Sequence, residues 1–131
     1  MDQIEQFEPV HGEWLPLDAF LTELFEGEVG PTEQAVLLRL LERYPEEDGA
    51  GVLWGVVHGL ESTAHYEPSL LASVKRMPSD LGLVMLNRLH NSGVEIVDGE
   101  RIEDVFRAVA DSETASESVR ATALDLLGAM E

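Results

Sequence analysis

The chain has 131 residues, a length for one domain, and 44% of them are apolar, a share too high for a disordered chain. Asp and Glu total 26 against 8 Lys and Arg, a net charge of −18, so phosphate backbones and anionic membranes would be repelled and direct binding to either is not expected. The absence of cysteine removes disulfides and thiolate sites and fits a reducing cytoplasm.

The start, Met1-Asp2-Gln3-Ile4-Glu5, is acidic and carries no apolar core of a secretory signal. Residues 1–13 lack a period and contain Pro9 and Gly12, so they read as an extended arm, with Phe7 and Val10 available to dock on the body. From residue 14 to residue 131 the apolar spacing is helical nearly throughout, and this stretch reads as a single helical domain. Its least polar run, Gly49 to Leu60, is broken by His58 and is shorter than the ~20 residues a membrane span needs.

Pro16, Pro31, Pro68 and Pro78 each precede an apolar-periodic run, as expected for proline at the first helical position, where its missing N–H is no loss. Asp18, Glu33 and Asp80 follow two residues behind three of them, where a carboxylate meets the positive helix end. The spacing predicts helices at Pro16 to Glu26, Pro31 to Tyr44, Gly49 to Ser62, Pro68 to Arg76 and Pro78 to Asn91. Tyr66 is placed to staple onto Leu71. Residues 94–99 resemble a strand but lack an evident mate, so they read as a connector in which Asp98 caps the next helix and Val97 staples onto Ile102. That helix carries Ile102, Val105, Phe106 and Val109. Thr114 and Glu117 match a capping box that opens a last helix with Val119, Thr122, Ala123, Leu126, Leu127 and Met130 inward. The fold class is all-α: about seven short antiparallel helices in a bundle or in stacked α-hairpins, with a HEAT-like superhelix compatible but no 34- or 40-residue repeat visible.

Gly51, Gly55 and Gly59 recur every fourth residue, and three helical glycines on one face favour a close helix contact. Trp54, His58 and Glu61 share a face, read as a buried aromatic beside a hydrogen-bonded histidine, since no nucleophile is recognisably placed beside them. His11, His58, His65 and His90 have no i, i+4 spacing, and the run Asp111 to Glu117 mimics a calcium loop without its glycine. No metal, cofactor or enzymatic activity is therefore expected.

The acidity is lopsided: residues 1–70 hold 15 acids and 2 bases, residues 71–131 hold 11 acids and 6 bases. It concentrates at Glu23, Glu26 and Glu28, and again at Glu42, Glu46, Glu47 and Asp48. Such density opposes folding slightly, and a partner rich in Lys and Arg would relieve it. A merely solubilising surface is the competing reading.

The stretch from Leu40 through Leu-Glu-Arg-Tyr-Pro-Glu-Glu-Asp-Gly to Trp54, with Tyr66-Glu-Pro-Ser-Leu and Met85-Leu-Asn-Arg-Leu-His-Asn-Ser-Gly93, resembles small helical immunity proteins encoded beside bacterial polymorphic or contact-dependent growth inhibition toxins. The resemblance covers about residues 36 to 130 and has no diagnostic motif. It implies a cytoplasmic protein that binds the toxin's C-terminal domain, often a nuclease, one to one as a monomer. A helical adaptor and a DNA-mimicking protein remain alternatives.

Overall fold

Residues 2–130 are described by the computed structural model. Among them, eight helices run in the order α1 (Asp2–Glu5), α2 (Leu15–Phe25), α3 (Pro31–Arg43), α4 (Val52–Glu61), α5 (Glu67–Arg76), α6 (Asp80–Asn91), α7 (Ile102–Ala110) and α8 (Glu117–Met130). Between α6 and α7 lies a hairpin of two short strands, β1 (Ile96–Val97) and β2 (Glu100–Arg101). The all-α class read from the sequence is the class observed, with one more helix than expected.

The proline signals place the helix starts to within a residue or two. Pro31 opens α3, while Glu33 Oε1 accepts a hydrogen bond from the Gly30 N–H at 2.8 Å. Pro16 and Pro68 sit in the first turns of α2 and α5. Pro78 lies two residues before α6, because Ser79 takes the cap and accepts from the Gly82 N–H at 3.0 Å. The last helix is capped two residues later than expected: Ser116 Oγ, not Thr114, accepts from the Val119 N–H at 3.2 Å.

Helix α3 lies at the centre, against α1, α4, α5 and α6. From Val36 to Glu42 every residue except Arg39 is buried. Leu53, Val56, Val57 and Leu60 of α4, Leu70 and Val74 of α5, and Leu83, Met85 and Leu86 of α6 complete this core. Each such side chain contributes roughly 1.5–3 kcal/mol by leaving water. Ile102 and Phe106 of α7 and Val119 and Ala123 of α8 extend it at the other end.

Residues 2–13 are not the extended arm expected. Helix α1 makes one turn, and Ile4 and Phe7 are buried, whereas Val10 is exposed. A four-residue helix has no stability of its own. It is held by Arg43, whose guanidinium donates to the carbonyls of Ile4, Glu5 and Phe7, and by the Tyr44 hydroxyl, which donates to the Phe7 carbonyl.

The connector at 94–99 is also different. Ile96 pairs with Arg101 and Val97 with Glu100, and the turn between them is Asp98-Gly99 with φ of +48° and +81°. Both central residues are left-handed, the type I′ geometry that Asp-Gly favours in hairpins. Asp98 is thus a turn residue, and Arg101 stands at the start of α7 instead.

The glycine face of α4 divides into three environments. Gly51 precedes the helix with φ of +91°. Gly55 faces open space. Only Gly59 meets a neighbour closely: a Cβ there would stand 2.1 Å from the Phe25 ring of α2. The close contact predicted for the whole stripe is confined to this one residue.

Candidate interaction cleft

Pro45 ends α3, since its ring cannot continue the hydrogen-bond ladder, and its carbonyl accepts the Asp80 N–H at 2.7 Å. That bond ties the α3–α4 loop to the first turn of α6. The loop then turns back through three successive left-handed residues, Gly49, Ala50 and Gly51, with φ of +61°, +55° and +91°. Asp48 Oδ1 steadies the turn by accepting the Ala50 N–H at 3.1 Å. Gly49 is needed for a second reason. A Cβ there would come within 2.9 Å of the Trp14 ring, so the loop backbone lies flat against that indole. Trp14 is itself packed between Phe7, at 5.7 Å, and Tyr44, edge-on at 5.0 Å.

These constraints build a cleft of about 640 Å³, open to solvent, with Trp14, Trp54, Leu81, Val84 and Thr122 among its walls. Glu46, Glu47, Asp48 and Asp80 complete the lining as an acidic lip. The first three are exposed and Asp80 is partly buried. Among the described residues no salt bridge includes any of the four. Asp80 Oδ1 is buried without a hydrogen-bond partner.

Glu42, read from the sequence as part of the same acidic group, is not on this surface. Its carboxylate is buried against α5, where Arg76 donates from Nε at 2.8 Å and from Nη2 at 2.6 Å, and the Ser73 hydroxyl donates at 2.9 Å. The hydrogen bond from Arg76 to Glu42 holds the guanidinium above its ordinary range. Glu42 is a structural ion pair, because helix α3 is enclosed on the side it faces.

The second predicted cluster is split. Glu23 and Glu28 line a concavity of about 300 Å³ with Gln3, Phe20 and Glu33. Glu26 lines another, of about 370 Å³, with Asp18, Phe25 and Gly55. All three are exposed. Nor do Trp54, His58 and Glu61 form a buried unit. His58 is exposed with its ring 6.0 Å from that of Trp54, and Glu61 turns to Arg88 at 2.9 Å. Nearby, burial pushes the Tyr66 phenol above its ordinary range, helped by Glu61 and Glu67. No group of three or more His, Asp or Glu among the described residues is arranged to hold a metal ion.

Sequence reasoning missed Asp80 and Trp54 as parts of a surface. Asp80 reads locally as a helix-start charge and Trp54 as core; the Pro45–Asp80 bond brings Asp80 beside the loop, and Trp54 follows the loop in the first turn of α4. Comparison with models of known families, with characterised proteins and with solved structures gives no match to this chain. No helix among the described residues is long and apolar enough to cross a membrane.

Proposed function

We propose that this is a cytoplasmic immunity protein that binds a basic toxin domain, of nuclease type, and neutralises it by covering its active site. The observation that carries the reading is the acidic lip: four carboxylates without salt bridges among the described residues, around a preformed cleft, in a chain of net charge −18. Within the chain these charges repel one another, and a partner rich in Lys and Arg would convert that repulsion into attraction and faster encounter. The resemblance of residues 36 to 130 to immunity proteins supports the same role. The working complex is one to one and needs no cofactor.

The test is expression of the adjacent gene's product with and without this chain. We expect that product to arrest growth alone, to be harmless together with the chain, and to co-purify with it. Changing Glu46→Lys with Glu47→Lys should slow association roughly ten-fold or more at low salt, with a smaller loss at high salt. A harmless adjacent product, or a toxic one that this chain neither binds nor neutralises, would sink the proposal.

A further inference from the structure

We propose that the groove on α2 and α3 filled by residues 2–9 also accepts the same segment from a second copy of this chain, so that two copies exchange segments in a reciprocal dimer. The inference stands apart from the immunity role and does not draw on it. Its first ground is how the segment is held. Helix α1 lies against α2 and α3, and of residues 2–13 only Ile4 and Phe7 are buried. The bonds that fix it run from Arg43 and Tyr44 to the carbonyls of Ile4, Glu5 and Phe7. Two buried side chains and a few bonds oppose the entropy of ordering the whole segment, so it belongs to the parts of the fold that open first.

The second ground is the fit between segment and groove. The segment carries Asp2, Glu5 and Glu8. Arg39 and Arg43, the only bases of residues 1–70, stand together on α3 and line a concavity with Glu5 and Met77. The groove therefore matches an acidic segment with two apolar anchors, which is what a second copy offers.

The third ground is the hinge. Val10 and Glu13 pair across a tight turn, with the Glu13 N–H donating to the Val10 carbonyl at 3.0 Å, and all four turn residues are exposed. His11 and Gly12 both lie in the left-handed region, with φ of +53° and +75°. A side chain is disfavoured there, and straightening the turn relieves His11. Pro9 already keeps Glu8 extended. Straightened, residues 8–13 reach roughly 20 Å, enough to cross to a body lying alongside. The groove contacts are the same in the closed and the exchanged form, including Phe7 on Trp14, so the hinge and the body-to-body repulsion set the balance.

The hinge supplies the test, with size-exclusion chromatography of the full chain as the readout. Deleting His11 and Gly12 joins Val10 to Glu13 and removes the reversal, so this variant should be mostly dimer at about 10 μM. Isotope-filtered NMR of a mixed dimer should place Phe7 of one copy against Trp14 of the other. Adding Phe7→Ala or Arg43→Ala to the deletion should return it to monomer. The parent should be monomer at about 10 μM and show a minor dimer at about 1 mM. That dimer should grow from low salt to about 0.5 M, because screening removes the repulsion between two acidic bodies. His11→Val should raise its share several-fold and His11→Gly should lower it. These two substitutions decide the matter if the deletion does not fold. A folded deletion variant that stays monomeric, a dimer without the Phe7 to Trp14 contact between copies, a dimer that salt dissolves, or one indifferent to residue 11 would overturn the proposal.

Discussion

Glu42 and Glu46 are four residues apart, carry the same charge, and meet opposite fates. Glu42 lies on a helix buried on nearly every side, and the fold answers it with Arg76 and Ser73. Glu46 follows Pro45 into a loop that runs across Trp14, and neither it nor its neighbours Glu47 and Asp48 enters a salt bridge among the described residues. The difference teaches that density of charge along a chain says little about function. A carboxylate placed inside must be matched for the chain to fold at all, whereas one at a rim can be left for something else to match.

The comparison breaks most visibly if Arg76 is removed. Arg76→Ala strands the Glu42 carboxylate, whose side chain is 7% exposed, without its cation. The expected loss is about 3 kcal/mol, seen as a fall of roughly 10 °C in the melting temperature. Replacing both partners, Glu42→Leu with Arg76→Met, should recover most of that loss, because no unmatched charge remains. A single variant as stable as the parent would mean that Glu42 is solvated, like the lip acids.

A second contrast of occupied and open surroundings lies on α4, and its effects are smaller. Gly59→Leu must displace the Phe25 ring and should destabilise by about 1–3 kcal/mol. Gly55→Ala meets no neighbouring atom, so the better helix propensity of alanine should stabilise by up to about 1 kcal/mol. Thermal melts read the two signs directly. A lowered melting temperature for Gly55→Ala would show that α2 and α4 approach more closely than the structure has them.

The helices were legible where local rules suffice. Prolines and apolar periods located α2 to α6, and the Ile102, Val105, Phe106 and Val109 spacing located α7. Helix α1 was not legible, because bonds from Arg43 and Tyr44, more than thirty residues away, hold it. The hairpin had a signal, Asp98-Gly99, that was overlooked because its mate, Glu100–Arg101, does not look like a strand. The acidic site was half legible. The loop Glu46–Asp48 is exposed as expected, but burial removed Glu42 from it, and packing added Asp80, Trp14 and Trp54 from three other places in the chain. Burial of a charge and convergence of distant elements are tertiary facts that local pattern does not carry.

The smallest effect concerns the lip itself and sharpens the comparison from its other side. If Glu46 and Glu47 have no internal role, neutralising them with Glu46→Gln and Glu47→Gln removes only repulsion. Both are exposed and share the lip with Asp48 and Asp80, so each pair of charges interacts through a screened, water-rich medium. The gain in stability should then be a few tenths of a kcal/mol at low ionic strength. It should shrink towards zero as salt rises, since at about 0.15 M the screening length is already roughly 8 Å. The helix ends add to the sign. Glu46 and Glu47 follow the negative end of α3, where carboxylates are unfavourable, while Asp80 sits at the positive end of α6 and should not share in the gain. Asp80→Asn in isolation is therefore expected to be neutral or slightly destabilising, opposite in direction to the loop pair. Denaturant titrations of the parent and the two variants at about 10 mM and about 0.5 M salt give the comparison. A loop double variant that loses stability at both salts would mean that Glu46 and Glu47 hold the loop together, and the lip would then be a structural element like Glu42 and not a surface kept for a partner.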